Sequence, residues 1–171
     1  MLLGVLICTL TENMLHASEL IEQRVADLMQ DMTLEEKAGQ MSQANADFEY
    51  PARELGDRLR QGELGAILNN VDPGAVNELQ RIAVEESRLG IPLLVGRDVI
   101  HGFRTVMPIP LGQAATWNPE IVLEGARVSA LEAATRGVNW TFAPMIDISR
   151  DPRWGRIAES LGEDQHLASV L

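Results

Sequence analysis

Apolar residues recur at helical spacing in some segments of the chain and form short continuous runs in others. A helix is predicted from about Ser18, where the apolar residues close to one face are Leu20, Ile21, Val25, Leu28 and Met29. The segment 53–65 continues as helix and stops at a glycine. Apolar runs predict buried strands at 65–70 and 91–96, and a third strand with its exit at 138–148.

Capping residues mark where the other helices begin. Thr33 opens the sequence TLEE, a capping box that predicts a second, short helix. Asp72 before Pro-Gly predicts a helix over 73–89, with a glycine as its stop. Asn118 before Pro-Glu predicts a long helix over 119–136.

Apolar strands that alternate with helices indicate βαβ units and a parallel sheet, which places the chain in the α/β class. The polar chemistry follows the predicted strands, in RDVIHGFR after the second and DISRDPRWGR after the third. Both α/β barrels and open α/β sheets bind ligands at that edge. The sequence has neither a G-x-G-x-x-G nor a G-x-x-x-x-G-K-[ST] motif, which disfavours a nucleotide-binding sheet.

The charge, the cysteine content and the start of the sequence bear on the partners and the location of the protein. The 171 residues hold 25 acidic and 14 basic side chains, a formal charge of −11, which argues against nucleic acid or an anionic membrane as partner. Cys8 is the single cysteine, so no internal disulfide can form. The apolar start, MLLGVLICTL, predicts either a signal peptide or an N-terminal extension at 1–18, although no basic residue precedes it.

Three side chains in the loop after the second predicted strand are candidates for chemistry. Asp98 can accept two hydrogen bonds from neighbouring hydroxyls of one ligand, as a sugar requires, or it can cap a turn. Arg104 can donate to a hydroxyl or pair with Asp98. His101 has no second His or Cys at metal-ligand spacing, and a structural role is the more common one for such a residue.

The segment 149–164, SRDPRWGRIAESLGED, concentrates opposed charges around one proline and its glycines. Arg153 and Arg156 lie among carboxylates at Asp147, Asp151, Glu159 and Glu163. A carboxylate can hold a guanidinium rigid while its remaining N–H groups face a ligand. From these residues alone, the segment could be either a salt-bridged structural loop or a site that binds a polar ligand.

The segments GRDVIHGFRTVMPIPLG, TWNPE, MTLEEKAGQM and GVNWTFAPMIDISRDPRWGRIAESLGED closely resemble glycoside hydrolase family 3, and within it the bacterial β-glucosidases. The resemblance runs from about residue 20 to the end of the sequence. It implies that 19–171 is the N-terminal part of a TIM-type (β/α)8 barrel, incomplete in this chain. It also implies retaining hydrolysis of O-glycosyl bonds, which releases the terminal non-reducing β-D-glucosyl residue of a β-linked glycoside or oligosaccharide.

The family's sugar-binding aspartate and arginine correspond to Asp98 and Arg156. Arg104 matches an arginine that approaches the sugar in some members only. Framework roles in the loop are implied for Arg153, Trp154, Glu163 and Asp164. The resemblance implies no metal and no organic cofactor.

Retaining hydrolysis needs two carboxyl groups, a nucleophile and an acid/base. In the family both lie downstream of the segment present here, so no residue of this chain is assigned either role. Three strands cannot close a barrel that needs eight. We therefore expect the 171 residues alone to be poorly soluble or partly folded, and inactive. A non-catalytic sugar-binding or interaction module on a half-barrel is the alternative. The expected location is periplasmic or extracellular if the start is a signal peptide, and cytoplasmic otherwise.

Overall fold

Four short strands alternate with helices in the computed structural model, which describes residues 18–47 and 52–171. The strands are β1 (Gln43–Asn45), β2 (Ala66–Leu68), β3 (Leu94–Arg97) and β4 (Trp140–Thr141). The helices are α1 (18–31), α2 (Leu34–Gln40), α3 (Ala52–Arg60), α4 (Pro73–Arg81), α5 (Pro110–Ala114), α6 (Pro119–Ala134) and α7 (Gln165–Val170). A π-helical turn, Ile82–Glu86, continues α4, and two 3-10 turns cover Pro152–Trp154 and Ile157–Glu159.

The strands form one parallel sheet in the order β1-β2-β3-β4. Ala44 pairs with Ile67, and Ile67 pairs with Val95, so these three residues form one row across the sheet. Parallel strands in sequence order, with helices between them, confirm the predicted α/β class. The sheet is open within the described residues, with β1 and β4 at its two edges.

The predicted capping residues begin the helices as expected. Thr33 accepts a hydrogen bond from the Glu36 N–H at 3.2 Å, and the Glu36 carboxylate accepts from the Thr33 N–H at 2.9 Å, which completes the capping box of α2. Asp72 accepts from the Ala75 N–H at 2.8 Å at the start of α4. Asn118 accepts from the first two free N–H groups of α6.

Two additional elements and two earlier helix ends differ from the prediction. The sheet has four strands where three were predicted, because β1 is three residues long and its residues, QAN, carry no apolar run. The helix predicted over 53–65 ends at Arg60. The helix predicted to residue 89 passes into the π-helical turn and ends at Glu86. α5 forms inside a segment predicted as loop, with Pro110 at its first position.

The buried core lies between one face of the sheet and helices α3 and α4. Its members are Ala44, Ala46, Leu55, Leu59, Leu64, Ile67, Val76, Leu79, Ile82, Ala83, Leu93 and Val95. The opposite face stays open, with Leu94 49% and Trp140 38% exposed, because successive strand residues point to opposite faces. None of the helices in the described residues is long and apolar enough to cross a membrane. Of the predicted segment 1–18, only its last residue is described.

Candidate functional site

The candidate polar residues lie where the parallel strands end. Asp98 follows Arg97, the last residue of β3. Asp147 lies six residues beyond the end of β4, in the segment that leads to the two 3-10 turns. Arg156 lies between those turns. Since β3 and β4 are parallel neighbours, their exits meet at the same edge of the sheet.

Hydrogen bonds between its two ends hold the loop that follows Asp98 in place. Gly102 and Val106 form an antiparallel bridge, and the Met107 N–H donates to the His101 carbonyl at 2.8 Å. His101 Nδ1 lies 3.0 Å from the Met107 carbonyl oxygen, so this ring nitrogen is committed to the same closure. Gly102 has φ +112°, in the region that favours glycine. These contacts give His101 a structural role in the loop.

Glu132 of α6 fixes the tip of this loop. Its carboxylate accepts from the backbone N–H groups of Arg104 and Thr105, both at 2.8 Å, and from the Thr105 hydroxyl at 2.7 Å. The hydroxyl and backbone donors of Thr105 lower the pKa of Glu132, and the positive charge of Arg104 adds to this effect. The charge of Arg104 therefore acts on Glu132. Arg104 is not among the charged groups that act on Arg156.

The segment 149–164 satisfies much of its own hydrogen bonding. Asp151 caps the first 3-10 turn by accepting from the Arg153 N–H at 2.9 Å, and the Arg153 guanidinium also pairs with this carboxylate. Gly155 ends the turn with φ +87°. Asp164 caps α7 by accepting from the Leu167 N–H at 2.7 Å. The framework roles expected of Arg153 and Asp164 agree with these contacts.

Two buried serines connect the beginning and the end of the segment. The Ser149 and Ser160 hydroxyls share a short hydrogen bond, and both residues are buried. The Ser149 N–H also donates to the Gly162 carbonyl at 3.0 Å. The charged residues between these two serines therefore belong to a loop whose base is closed inside the protein.

Arg156 is the arginine of this segment whose pKa is affected by a carboxylate in another loop. Its guanidinium donates to Glu159 at 2.7 and 3.2 Å, and Nη2 lies 3.6 Å from the Met145 sulfur. The Glu159 hydrogen bonds are the main cause of its raised pKa, and the negative charges of Asp147 and Asp98 contribute further. The structure thus brings Asp98 and Arg156 into one electrostatic environment, while the Arg156 side chain stays 54% exposed.

Polar side chains that sequence reasoning did not select also meet at this edge. Arg97 Nη1 donates to Asn69 Oδ1 at 2.8 Å, and Asn69 Nδ2 donates to Asn45 Oδ1 at 3.1 Å. Asn45 and Arg97 are the last residues of β1 and β3, and Asn69 directly follows β2. In the sequence, the apolar run at 65–70 ends in polar residues, and this signal pointed to Asn69 alone among the three.

A cavity of about 390 Å³ lies beside the candidate residues, between α6 and the exits of β3 and β4. Its lining is mainly apolar and includes Val122, Ala126, Trp140 and Pro144. Glu159 belongs to its lining, while Asp98 and Arg156 do not. An apolar lining does not suit sugar hydroxyls, so the candidate site is the polar edge beside the cavity. No group of three or more metal-ligating side chains occurs within residues 18–47 and 52–171.

The sequence model of the glycosyl hydrolase family 3 N terminal domain matches residues 33–171. The chain belongs to glycosyl hydrolase family 3. Its sheet is therefore a portion of the TIM-like (β/α) barrel of that family.

Two relatives illustrate the similarity in sequence. A protein named periplasmic beta-glucosidase from Salmonella typhimurium is 44% identical over 147 residues, which cover 86% of this chain and 19% of that protein. A periplasmic beta-glucosidase/beta-xylosidase from Dickeya chrysanthemi is 30% identical, over 87% of this chain and 27% of that protein.

The similarity extends to solved structures. A beta-glucosidase from Listeria innocua, crystallised as a mutant in complex with laminaribiose, superposes with a TM-score of 0.76 at 38% identity. The superposition covers 87% of this chain and 22% of that one. The chain thus spans about a fifth to a quarter of the length of these three proteins.

Proposed function

We propose that this chain supplies the sugar-binding groups of a retaining β-glucosidase, with Asp98 and Arg156 holding the terminal glucosyl residue. The observation that carries the proposal is that Asp98 and Arg156 lie in the segments that follow β3 and β4, two neighbouring parallel strands whose ends meet at one edge of the sheet. The negative charge of Asp98 also contributes to the raised pKa of Arg156. An acceptor and a donor of opposite charge suit neighbouring hydroxyls of one pyranose. The names of the relatives from Salmonella typhimurium and Listeria innocua support this substrate class.

The two side chains contribute differently to binding. The Asp98 carboxylate accepts hydrogen bonds from sugar hydroxyls. Arg156 is already held by Glu159 through Nε and Nη2, so the N–H groups that face away from Glu159 are available to donate to a hydroxyl. Hydrogen bonds to the sugar that strengthen as the ring approaches an oxocarbenium ion lower the barrier as well as favouring binding.

The nucleophile and the acid/base are proposed to lie outside these 171 residues. Retaining chemistry requires two carboxyl groups about 5–5.5 Å apart across the scissile bond. The resemblance to the family places both of these groups downstream of the segment present here, so Asp98, Asp147 and Glu159 are assigned neither role. We therefore propose that the 171-residue polypeptide alone does not hydrolyse glycosides. Turnover of an aryl β-glucoside by the purified polypeptide would contradict this.

Mutagenesis of the complete enzyme, expressed from the coding sequence read past codon 171, tests the sugar-binding roles. Asp98→Ala should lower kcat/KM for an aryl β-D-glucoside by at least tenfold, because the sugar hydroxyls lose a charged acceptor. Arg156→Met should cause a comparable loss. Arg153→Met is the matched control: it removes a guanidinium that pairs with Asp151 two residues earlier, and it should lower kcat/KM several-fold less.

The outcomes separate the two candidate functions. An Asp98→Ala enzyme within tenfold of the parent would remove Asp98 from the sugar site. A stop codon at 172, together with a product that binds glucose and turns over no glycoside, would favour the non-catalytic sugar-binding module.

A periplasmic location is proposed as well, from the names of the Salmonella typhimurium and Dickeya chrysanthemi relatives and the apolar start of the sequence. Cell fractionation with N-terminal sequencing of the mature protein tests it. An uncleaved Met1 in the cytoplasmic fraction would refute it.

A further inference from the structure

Four polar side chains form a continuous row along the carboxyl ends of β1, β2 and β3. Arg97 donates to Asn69 at 2.8 Å, Asn69 donates to Asn45 at 3.1 Å, and Asn45 donates to Asp47 at 2.7 Å. The row thus crosses three strands that are far apart in sequence, and it ends at the residue that directly precedes Asp98. All four side chains belong to residues that are partly buried.

The row has a defined direction. Asn69 Oδ1 accepts from a guanidinium, so its amide nitrogen is the atom that faces Asn45, and it donates there. Asn45 in turn donates its amide N–H to the Asp47 carboxylate. A guanidinium at one end and a carboxylate at the other favour this single arrangement over flipped amides. The row is therefore suited to hold one conformation.

The backbone of Asn69 reinforces the same connection. Asn69 has φ +73°, a left-handed conformation that asparagine adopts more readily than most residues. Its N–H donates to the Gly96 carbonyl at 3.1 Å, while its side chain accepts from Arg97. Asn69 therefore holds two consecutive residues of β3 immediately before Asp98.

From this geometry we propose that Arg97 and Asn69 are positioning residues that fix the direction of the Asp98 carboxylate. The proposal rests on the sugar-binding role given to Asp98 above. Arg97 acts through the chain: with its guanidinium tied to Asn69, the backbone between Arg97 and Asp98 loses freedom to rotate. Misplacement of a binding group by about 1 Å can lower a rate by about a hundredfold, so a modest loss of order at this point is measurable.

A substitution that removes the amide without disturbing the backbone gives the sharpest test. Asn69→Gly keeps the left-handed conformation accessible and deletes both side-chain contacts. In the complete enzyme it should lower kcat/KM for an aryl β-D-glucoside about tenfold, and Arg97→Met should do the same. Asn69→Asp keeps an acceptor for Arg97 but places a second acceptor against Asn45 Oδ1, so it should recover part of the activity and not all of it. Arg127→Met, which removes an exposed guanidinium on the outside of α6, is the matched control and should leave kcat/KM unchanged.

A double-mutant comparison separates positioning from a general structural effect. If Arg97 and Asn69 act through Asp98, Asn69→Gly should change kcat/KM less than twofold in an Asp98→Ala background. An equal tenfold loss in both backgrounds would overturn the proposal, as would single variants within twofold of the parent. Where the residual turnover is too low to measure, the dissociation constant for gluconolactone, determined by calorimetry, replaces kcat/KM in the same comparison.

The proposed function and the positioning role fail in different ways. A parent enzyme with no glycosidase activity, or an Asp98→Ala variant with normal activity, would refute the sugar-binding assignment and the positioning role with it. An active parent that depends on Asp98 but not on Asn69 would refute the positioning role alone.

Discussion

Gln80 offers a sharp test of how β3 is held at its start. Its side-chain oxygen accepts from the Leu93 N–H at 2.9 Å, and its amide nitrogen donates to the Leu93 carbonyl at 2.8 Å. Leu93 is only 2% exposed and immediately precedes β3. One side-chain amide on α4 thus satisfies both backbone groups of a buried residue, as a neighbouring strand would.

In the complete enzyme, Gln80→Leu removes both contacts and should destabilise the protein by about 2 kcal/mol. The Leu93 N–H becomes a buried donor without its acceptor, which costs about 1–3 kcal/mol. The Leu93 carbonyl loses less, because Asn139 Nδ2 still approaches it at 3.4 Å. Burial of the new leucine side chain offsets part of the loss.

Amide hydrogen exchange measures this effect at the residue concerned. A loss of about 2 kcal/mol corresponds to about 30-fold faster exchange of the Leu93 N–H. If the domain unfolds as one unit, the free energy of unfolding measured in urea should fall by the same amount. Asn77→Leu is the matched control, since it makes the same kind of change at an exposed position of α4 and should stay within about 0.5 kcal/mol. A Gln80→Leu protein with unchanged Leu93 protection would refute the reasoning.

Three further predictions concern other parts of the fold. The Arg88 guanidinium, with the Thr33 N–H, holds the pKa of Glu36 at about 2 instead of 4.5, so its contribution to stability is complete above about pH 4.5 and is lost as pH falls towards 2. Acid titration of the unfolding midpoint should show this loss, and Glu36→Gln should flatten that part of the curve. A Cβ on Gly39 would lie 1.9 Å from the Gly62 carbonyl oxygen, so Gly39→Ala should cost about 1–3 kcal/mol or more in urea unfolding. Asn118→Ala removes the cap of α6 and should cost about 1 kcal/mol by the same measurement; no loss would contradict the capping role.

Local signals in the sequence were sufficient to predict where most helices begin. Thr33, Asp72 and Asn118 cap α2, α4 and α6 because a cap depends on residues within one turn. β1 could not be predicted in the same way. Its three residues are identified as a strand only by their pairing with β2, a contact between segments more than 20 residues apart.

The same distinction applies to the polar edge of the sheet. Asp98 and Arg156 were candidates because of their positions in the sequence, and the resemblance to a known family assigned their roles. Their shared environment depends on the parallel pairing of β3 with β4. The row from Arg97 to Asn45 was missed because no motif connects these residues in sequence. Knowing that Asn69 meets Arg97 requires the register of two strands and the left-handed backbone of Asn69.

The charged segment after β4 contains two kinds of ionic contact, and the difference explains why so many charges are needed there. The contacts of Asp151 with Arg153, and of Asp164 with the start of α7, are local and shape the loop from within. Exposed pairs of this kind add little to stability, so their value lies in geometry. Arg156 also has a local partner, yet it is the arginine whose pKa responds to Asp98 in another loop. A loop shaped by its own charges can therefore present one guanidinium to the carboxylate of a neighbouring strand without relying on that carboxylate to hold it in place.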